Sequence, residues 1–115
     1  MPDNCIFCKI IAGAIPGKFV YQDEHLVVLE DINPQAPFHL LIVPRKHIRT
    51  TLDLTTADNA LIGHVHQVAG RIAHDLGIAE DGFRLVNNCN AAAGQTVWHI
   101  HFHLLGGRDL TWPPG

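Results

Sequence analysis

The spacing of apolar residues changes period several times along the chain, and each change marks an element. In NCIFCKIIAG, the residues Ile6, Phe7, Ile10 and Ile11 give one apolar side to a short helix, with Asn4 as its cap and Gly13 as its stop. KFVYQD and HLVVLED read as strands, and HLLIVPR, from His39 to Arg45, is a third that stops at Pro44. DINPQAPF between them is a turn region broken by Pro34 and Pro37. After Thr55 the spacing becomes helical: Leu61, Val65, Val68, Ile72 and Leu76 form a stripe that ends at Gly77, and Thr55 with Asp58 forms a capping box. FRLVNN is a strand, CNAAAGQ a loop and TVWHIHFHLLGG one long final strand, while RDLTWPPG cannot be helical across Pro113 and Pro114. The prediction is an α+β fold, a five-stranded antiparallel sheet with two helices, joined as a meander by short connections. One domain is expected over residues 1–115.

Composition narrows the function classes. Apolar residues make up 47% of the chain and charged residues 17%, which is ordinary for a globular domain. No apolar run is long enough to span a bilayer. The start of the chain lacks a basic region followed by a greasy core and a cleavage site, so a cytoplasmic protein with no membrane partner is expected. The net charge of −3 argues against nucleic acid as a partner, since sequence-independent binding needs a basic face; a single nucleotide needs only a few donors. Cys5, Cys8 and Cys89 are not expected to form disulfides in that compartment.

The unusual chemistry lies in HIHFHLLGG. On a strand, His99, His101 and His103 share one face, and Ile100, Phe102 and Leu104 point into a core. The outer two lie roughly 13 Å apart on a straight strand. Zinc holds its nitrogens at about 2.0–2.1 Å, so one ion cannot take all three. An exposed polar row is the bland reading. Strict alternation beside a Gly- and Asn-containing loop favours a catalytic row, because imidazole serves as nucleophile, base or acid near neutral pH.

QTVWHIHFHLLGGR resembles the signature of the histidine-triad (HIT) superfamily, and the chain is similar to its Hint branch, the nucleotide-binding proteins. The resemblance extends through IFCKII, DINPQAP, HLLIVPRKHI and the terminal WPPG. It implies a purine nucleoside phosphoramidase or nucleotidyl hydrolase acting on AMP- or GMP-type substrates, in a homodimer with a joined sheet. His101 matches the nucleophile that forms a nucleotidyl-histidine intermediate. His99 precedes it in the triad, and His103 and His39 match residues that hold the phosphate and orient the nucleophile. Thr96 stands where the family usually has Ser, and its hydroxyl can donate to the leaving group. Asn88 matches a phosphate and sugar contact, and Gly94 and Gln95 lie where backbone N–H groups can face phosphate oxygens. Asp31 matches the carboxylate that accepts from the ribose hydroxyls; on its own it reads as a turn cap before Asn33-Pro34. Phe7, Ile10, Leu29, Ile32 and Leu41 are candidates for an apolar base slot, and each also reads as a core residue. With no carboxylate cluster and no P-loop, no cofactor is expected for catalysis.

Cys5 and Cys8 form a C-x-x-C pair, a weak zinc half-site on its own. A thioredoxin-like redox motif would need a strand before Cys5, and none is predicted; two inert buried thiols remain a rival. Other histidine-triad proteins resemble this chain in pairing such cysteines with a His after the VPRKH strand and with the first triad His. The resemblance therefore implies a closed, structural zinc site on Cys5, Cys8, His47 and His99. Cys89 is not needed for it. His64, His66 and His74 read as solvated or interfacial positions on the long helix, and His25 as exposed.

Three other readings compete. A dinucleoside polyphosphate hydrolase of the fragile-histidine-triad branch would carry a fourth alternating histidine, where this chain has Leu105. The uridylyltransferase relatives are longer and have a His-Pro-His core. A non-catalytic nucleotide sensor or scaffold would not need all three triad histidines.

Overall fold

The computed structural model describes residues 4–115, so the first three positions of the expected 1–115 domain lie outside the described residues. The elements run α1 (Ile6–Ile11), β1 (Phe19–Gln22), β2 (Leu26–Glu30), β3 (Phe38–Pro44), α2 (Asn59–Asp75), β4 (Phe83–Val86) and β5 (Phe102–Gly106). All strand pairs are antiparallel, and the sheet order is β1-β2-β3-β5-β4. The expected α+β class and element count hold, but the meander stops at β3. The chain crosses along α2, lays β4 at the far edge and returns β5 between β3 and β4.

Each helix packs on one face of the sheet. Val65, Val68 and Ile72 of α2 are buried against Leu26, Val28, Leu40, Ile42, Ile100, Phe102 and Leu104. Phe7 and Ile10 of α1, with Cys5 and Cys8, pack on the other face against Val27, Leu29 and Val43. The apolar run of β2 follows from this, because its neighbouring residues face opposite helices and both faces are covered. With 17 residues, α2 is about 25 Å long and spans its face; α1, with six, is about 9 Å long and leaves part of its face open. That open part is where the histidines of β3 and β5 emerge.

Three local expectations are corrected. The cap of α1 is Cys5 and not Asn4: the Cys8 N–H donates to Cys5 Sγ at 3.3 Å. The Thr55–Asp58 capping box forms, but it closes a single 3-10 turn, Thr56–Asp58, and α2 begins only at Asn59. The long final strand is shorter than its pattern. The ladder starts at Phe102, and the preceding segment turns away so that the Ile100 N–H donates to Ile48 O at 2.6 Å.

His64 is not simply solvated. Its Nε2–H donates to Asp23 Oδ2 at 2.7 Å, tying α2 to the β1–β2 turn. Asp23 also accepts from Tyr21 Oη at 2.6 Å and from the His25 and Leu26 N–H groups at 2.8 Å each. Burial opposes the charge on Asp23, but these four donors outweigh it and hold the carboxyl well below the usual carboxylate range. A depressed folded-state pKa gives stability that is present above the unfolded value near 4 and is lost as the pH falls below it. Asp23→Asn is therefore expected to cost about 1–3 kcal/mol at pH 7. The variant should also lose less of its remaining stability than wild type between pH 5 and 3, as read from urea midpoints.

Candidate active site

His39 and His103 meet because β3 pairs with β5 in a register that sets His39 opposite Leu105 and Leu41 opposite His103. Residues on the same face, diagonally across the pair, come within reach of each other. His39 Nε2 lies 2.8 Å from His103 Nδ1, and Asp31 Oδ2 lies 3.4 Å from His39 Nε2. The His101 ring stands 5.1 Å from that of Phe7 and 5.3 Å from that of His103. Ile100, Phe102 and Leu104 point the other way into the α2 core, as the alternation predicts.

Hydrogen bonds fix which nitrogen of each ring is free. His101 Nδ1–H donates to His99 O at 2.8 Å, which leaves the Nε2 lone pair available. Burial lowers the pKa of His101 below the ordinary imidazole value and brings His103 down to about 4; burial lowers His39 as well. All three rings are neutral at pH 7. His99, fully buried, differs from them: its Nε2–H donates to Pro44 O at 2.7 Å, and Nδ1 faces the cysteines.

A groove of about 810 Å³ opens beside this row. Phe7, Ile10, Leu29, Ile32 and Leu41, the residues read as a base slot, all line it, with Asp31 and Thr96 also at its wall. Phe7, Ile10 and Leu29 are core residues as well, whereas Ile32 is fully exposed at the rim. Ile6, Pro16, Gly17, Val97 and the Lys18–Glu30 ion pair, 2.8 Å long, complete the lining. Apart from Ile6, on the apolar side of α1, no sequence periodicity singles these out, because they come from a loop, a strand edge and the bend before β5.

Behind Phe7, four side chains converge. His99 Nδ1 lies 3.3 Å from Cys5 Sγ, 3.5 Å from Cys8 Sγ and 3.1 Å from His47 Nδ1, and Cys8 Sγ lies 3.4 Å from His47 Nδ1. The edges of a zinc tetrahedron with these ligand types are about 3.3–3.7 Å, so the donor set fits one ion. His99 Nε2–H on a backbone carbonyl is the usual outer support of a histidine ligand. Burial holds His99 neutral, with a pKa of about 4, and keeps its lone pair. Burial, followed by the neighbouring Cys5, pushes the Cys8 thiol up to about 11, the reverse of what a cation between the thiols would do. Asp31, His39 and His103 also converge, but there the imidazoles are hydrogen-bonded to each other.

The family model of the HIT domain matches residues 12–110. The chain belongs to the HIT family. It is 48% identical over 110 residues to the purine nucleoside phosphoramidase of Escherichia coli K12, covering 96% of this chain and 92% of that protein. Over the full 115 residues of both chains it is 48% identical to an uncharacterised HIT-like protein of Synechocystis. A crystal structure of a HIT family hydrolase from Legionella pneumophila superposes with a TM-score of 0.95 at 50% identity, covering 97% of this chain and all of that one. The protein is thus a hydrolase of the HIT family.

The remaining positions expected of a HIT site fall as follows. Thr96 is exposed at the groove. Asn88 is partly buried, and its Nδ2–H donates to Ala93 O at 2.7 Å. The Gly94 and Gln95 N–H groups, expected from sequence to face phosphate oxygens, have partners within the protein. They are used inside the loop, donating to Ala91 O at 3.0 Å and Asn90 O at 3.1 Å. Asn90, at φ +70, and Gly94, at φ +89, curl that loop inward. The Gln95 side chain is buried and ties Arg49 O and Val97 O together at 2.9 and 3.1 Å. Cys89 stands apart from the cysteine–histidine cluster. Among the described residues no helix is long and apolar enough to cross a membrane.

Proposed function

We propose that this HIT hydrolase cleaves purine nucleoside 5′-phosphoramidates at the P–N bond. The observation that carries the reading is a His101 whose Nε2 is left free by the Nδ1–H bond to His99 O and whose ring packs on Phe7, a wall of an apolar groove that also carries the Asp31 carboxylate. The purine occupies the slot formed by Phe7, Ile10, Leu29, Ile32 and Leu41, and Asp31 accepts from the ribose hydroxyls. His101 Nε2 attacks the α-phosphorus. The P–N bond breaks, and the amine leaves protonated from solvent while hydrogen-bonded to the Thr96 hydroxyl. The imidazolium formed on His101 is stabilised through its Nδ1–H on His99 O, the part a carboxylate plays in a serine protease triad. His103 steadies the phosphoryl oxygens while His39 holds the His103 ring in place, with Asn88 on the sugar side. Water then displaces the histidine from phosphorus, releasing the nucleoside monophosphate and, to solvent, a proton.

Cys5, Cys8, His47 and His99 would hold one zinc ion. With four protein ligands such a site is closed, so the metal contributes folding energy and a fixed His99. The reading also includes a homodimer continuing the sheet across an edge strand. Phe83, on edge strand β4, is partly exposed, and Trp112 is 81% exposed on a tail whose Leu110 and Thr111 carbonyls are held by Arg84; sedimentation tests it.

A substrate panel of adenosine 5′-phosphoramidate, an adenylyl-lysine-type amide and diadenosine polyphosphates decides the function. Preferred release of AMP from the amides is expected. Preference for the polyphosphates, or binding without turnover, overturns the proposal.

A further inference from the structure

DINPQAP, between β2 and β3, contributes more than a turn. Asp31 Oδ1 accepts the Asn33 N–H at 2.8 Å, and the Gln35 side-chain Nε2–H donates to Asn33 O at 3.1 Å. Pro34 and Pro37 carry no N–H, so only Gln35 and Ala36 between them can donate. The Gln35 N–H donates to His39 Nδ1 at 3.0 Å. The other face of the same residue is held from the segment just past β5, where Arg108 Nε–H donates to Gln35 O at 3.0 Å and Arg108 Nη1–H to Asp109 O at 2.8 Å. Gly107 makes the approach possible. It sits at φ +91, and a Cβ there would stand 3.0 Å from Pro37 Cβ and 3.1 Å from Phe38 Cδ2.

A backbone N–H can only donate, so His39 must present a lone pair at Nδ1. The one proton of the neutral ring is then on Nε2 and points at His103 Nδ1, 2.8 Å away. His103 accepts there, so its own proton sits on Nε2. With the heavy atoms unmoved, the His39–His103 bond can also run the other way. That alternative sets two donors against each other at the Gln35 peptide and gives His103 a lone pair at Nε2, which repels an anion.

We propose that Arg108 and the Gln35 peptide lock the proton register of the His39–His103 pair, keeping His103 as an N–H donor to a phosphoryl oxygen. Arg108 acts through Gln35 and is a positioning residue. Its effect on turnover rests on the function proposed above, whereas the register itself does not.

The test is NMR of the full chain with 15N-labelled histidine near neutral pH, where ring nitrogen shifts separate the two tautomers. Wild type is expected to show His39 and His103 both protonated on Nε2. Arg108→Ala is expected to mix the tautomers of both rings and to lower kcat about tenfold with little change in KM; Arg108→Lys, which keeps a donor, restores both. A wild-type His39 protonated on Nδ1 overturns the proposal. So does an Arg108→Ala protein whose tautomers are unchanged, whatever its rate, or whose tautomers mix while kcat stays at the wild-type value. The register present in a protein that does not cleave phosphoramidates overturns the proposed substrate and leaves the lock standing.

Discussion

His101→Ala should lower kcat for adenosine 5′-phosphoramidate by at least about 10⁴-fold while leaving nucleotide affinity within a few-fold of wild type. The size of the effect follows from how few nitrogens are free. His99 has Nε2 on Pro44 O and Nδ1 among the cysteines. His39 has Nδ1 on Gln35 and Nε2 on His103. His103 accepts at Nδ1 and, in the register argued above, carries a proton on Nε2. Of these four, His101 alone keeps an unshared pair with no partner, so no neighbour can take over the attack. Binding survives because the groove walls and Asp31 are untouched. Wild-type enzyme quenched in alkaline denaturant, where the P–N bond to imidazole survives, should carry a nucleotidyl group on His101 by peptide mass spectrometry; an adduct on His99 or His103 would overturn the assignment.

The second large effect is expected at the cysteines. Protein purified without chelator should contain about one zinc per chain, and the Cys5→Ser/Cys8→Ser double variant should contain none. Its unfolding free energy should fall by several kcal/mol, a sizeable share of the roughly 5–15 kcal/mol available to a domain. The cluster ties the first turn of α1 to His99, two residues before His101, and to His47 beyond β3. Without it a six-residue helix rests only on the Phe7–Ile10 packing. The same ties make a loss of activity in this variant indirect, through Phe7 at the groove wall. Unfolding curves with and without chelator supply the check. Zinc-free wild type from zinc-supplemented medium, indifferent to chelator, would refute the metal site.

Elements with a strong period were legible from sequence. Val65, Val68 and Ile72 of α2 lie buried where their spacing put them. The final strand was overdrawn because alternation reports which side a residue faces and not what pairs with its backbone. His99 keeps its phase while its segment serves the cysteine cluster and Ile48. Strand order was invisible, since nothing local tells β5 to lie between β3 and β4. His64 looked solvated because its partner, Asp23, is 41 residues away. The inward-turned N–H groups of Gly94 and Gln95, and the Gln35 N–H on His39, were beyond reach for a common reason: a peptide group has no letter of its own in the sequence.

The placement of β5 sets how the site responds to fluctuation. Ladders on both sides, to β3 and β4, mean that the strand carrying His103 cannot fray as an edge does. Its amides should exchange with deuterium only through openings that approach global unfolding, while those of β1 exchange through cheaper local ones. The geometry between His39 and His103 is then as durable as the fold itself, and heat or denaturant should abolish the one no earlier than the other.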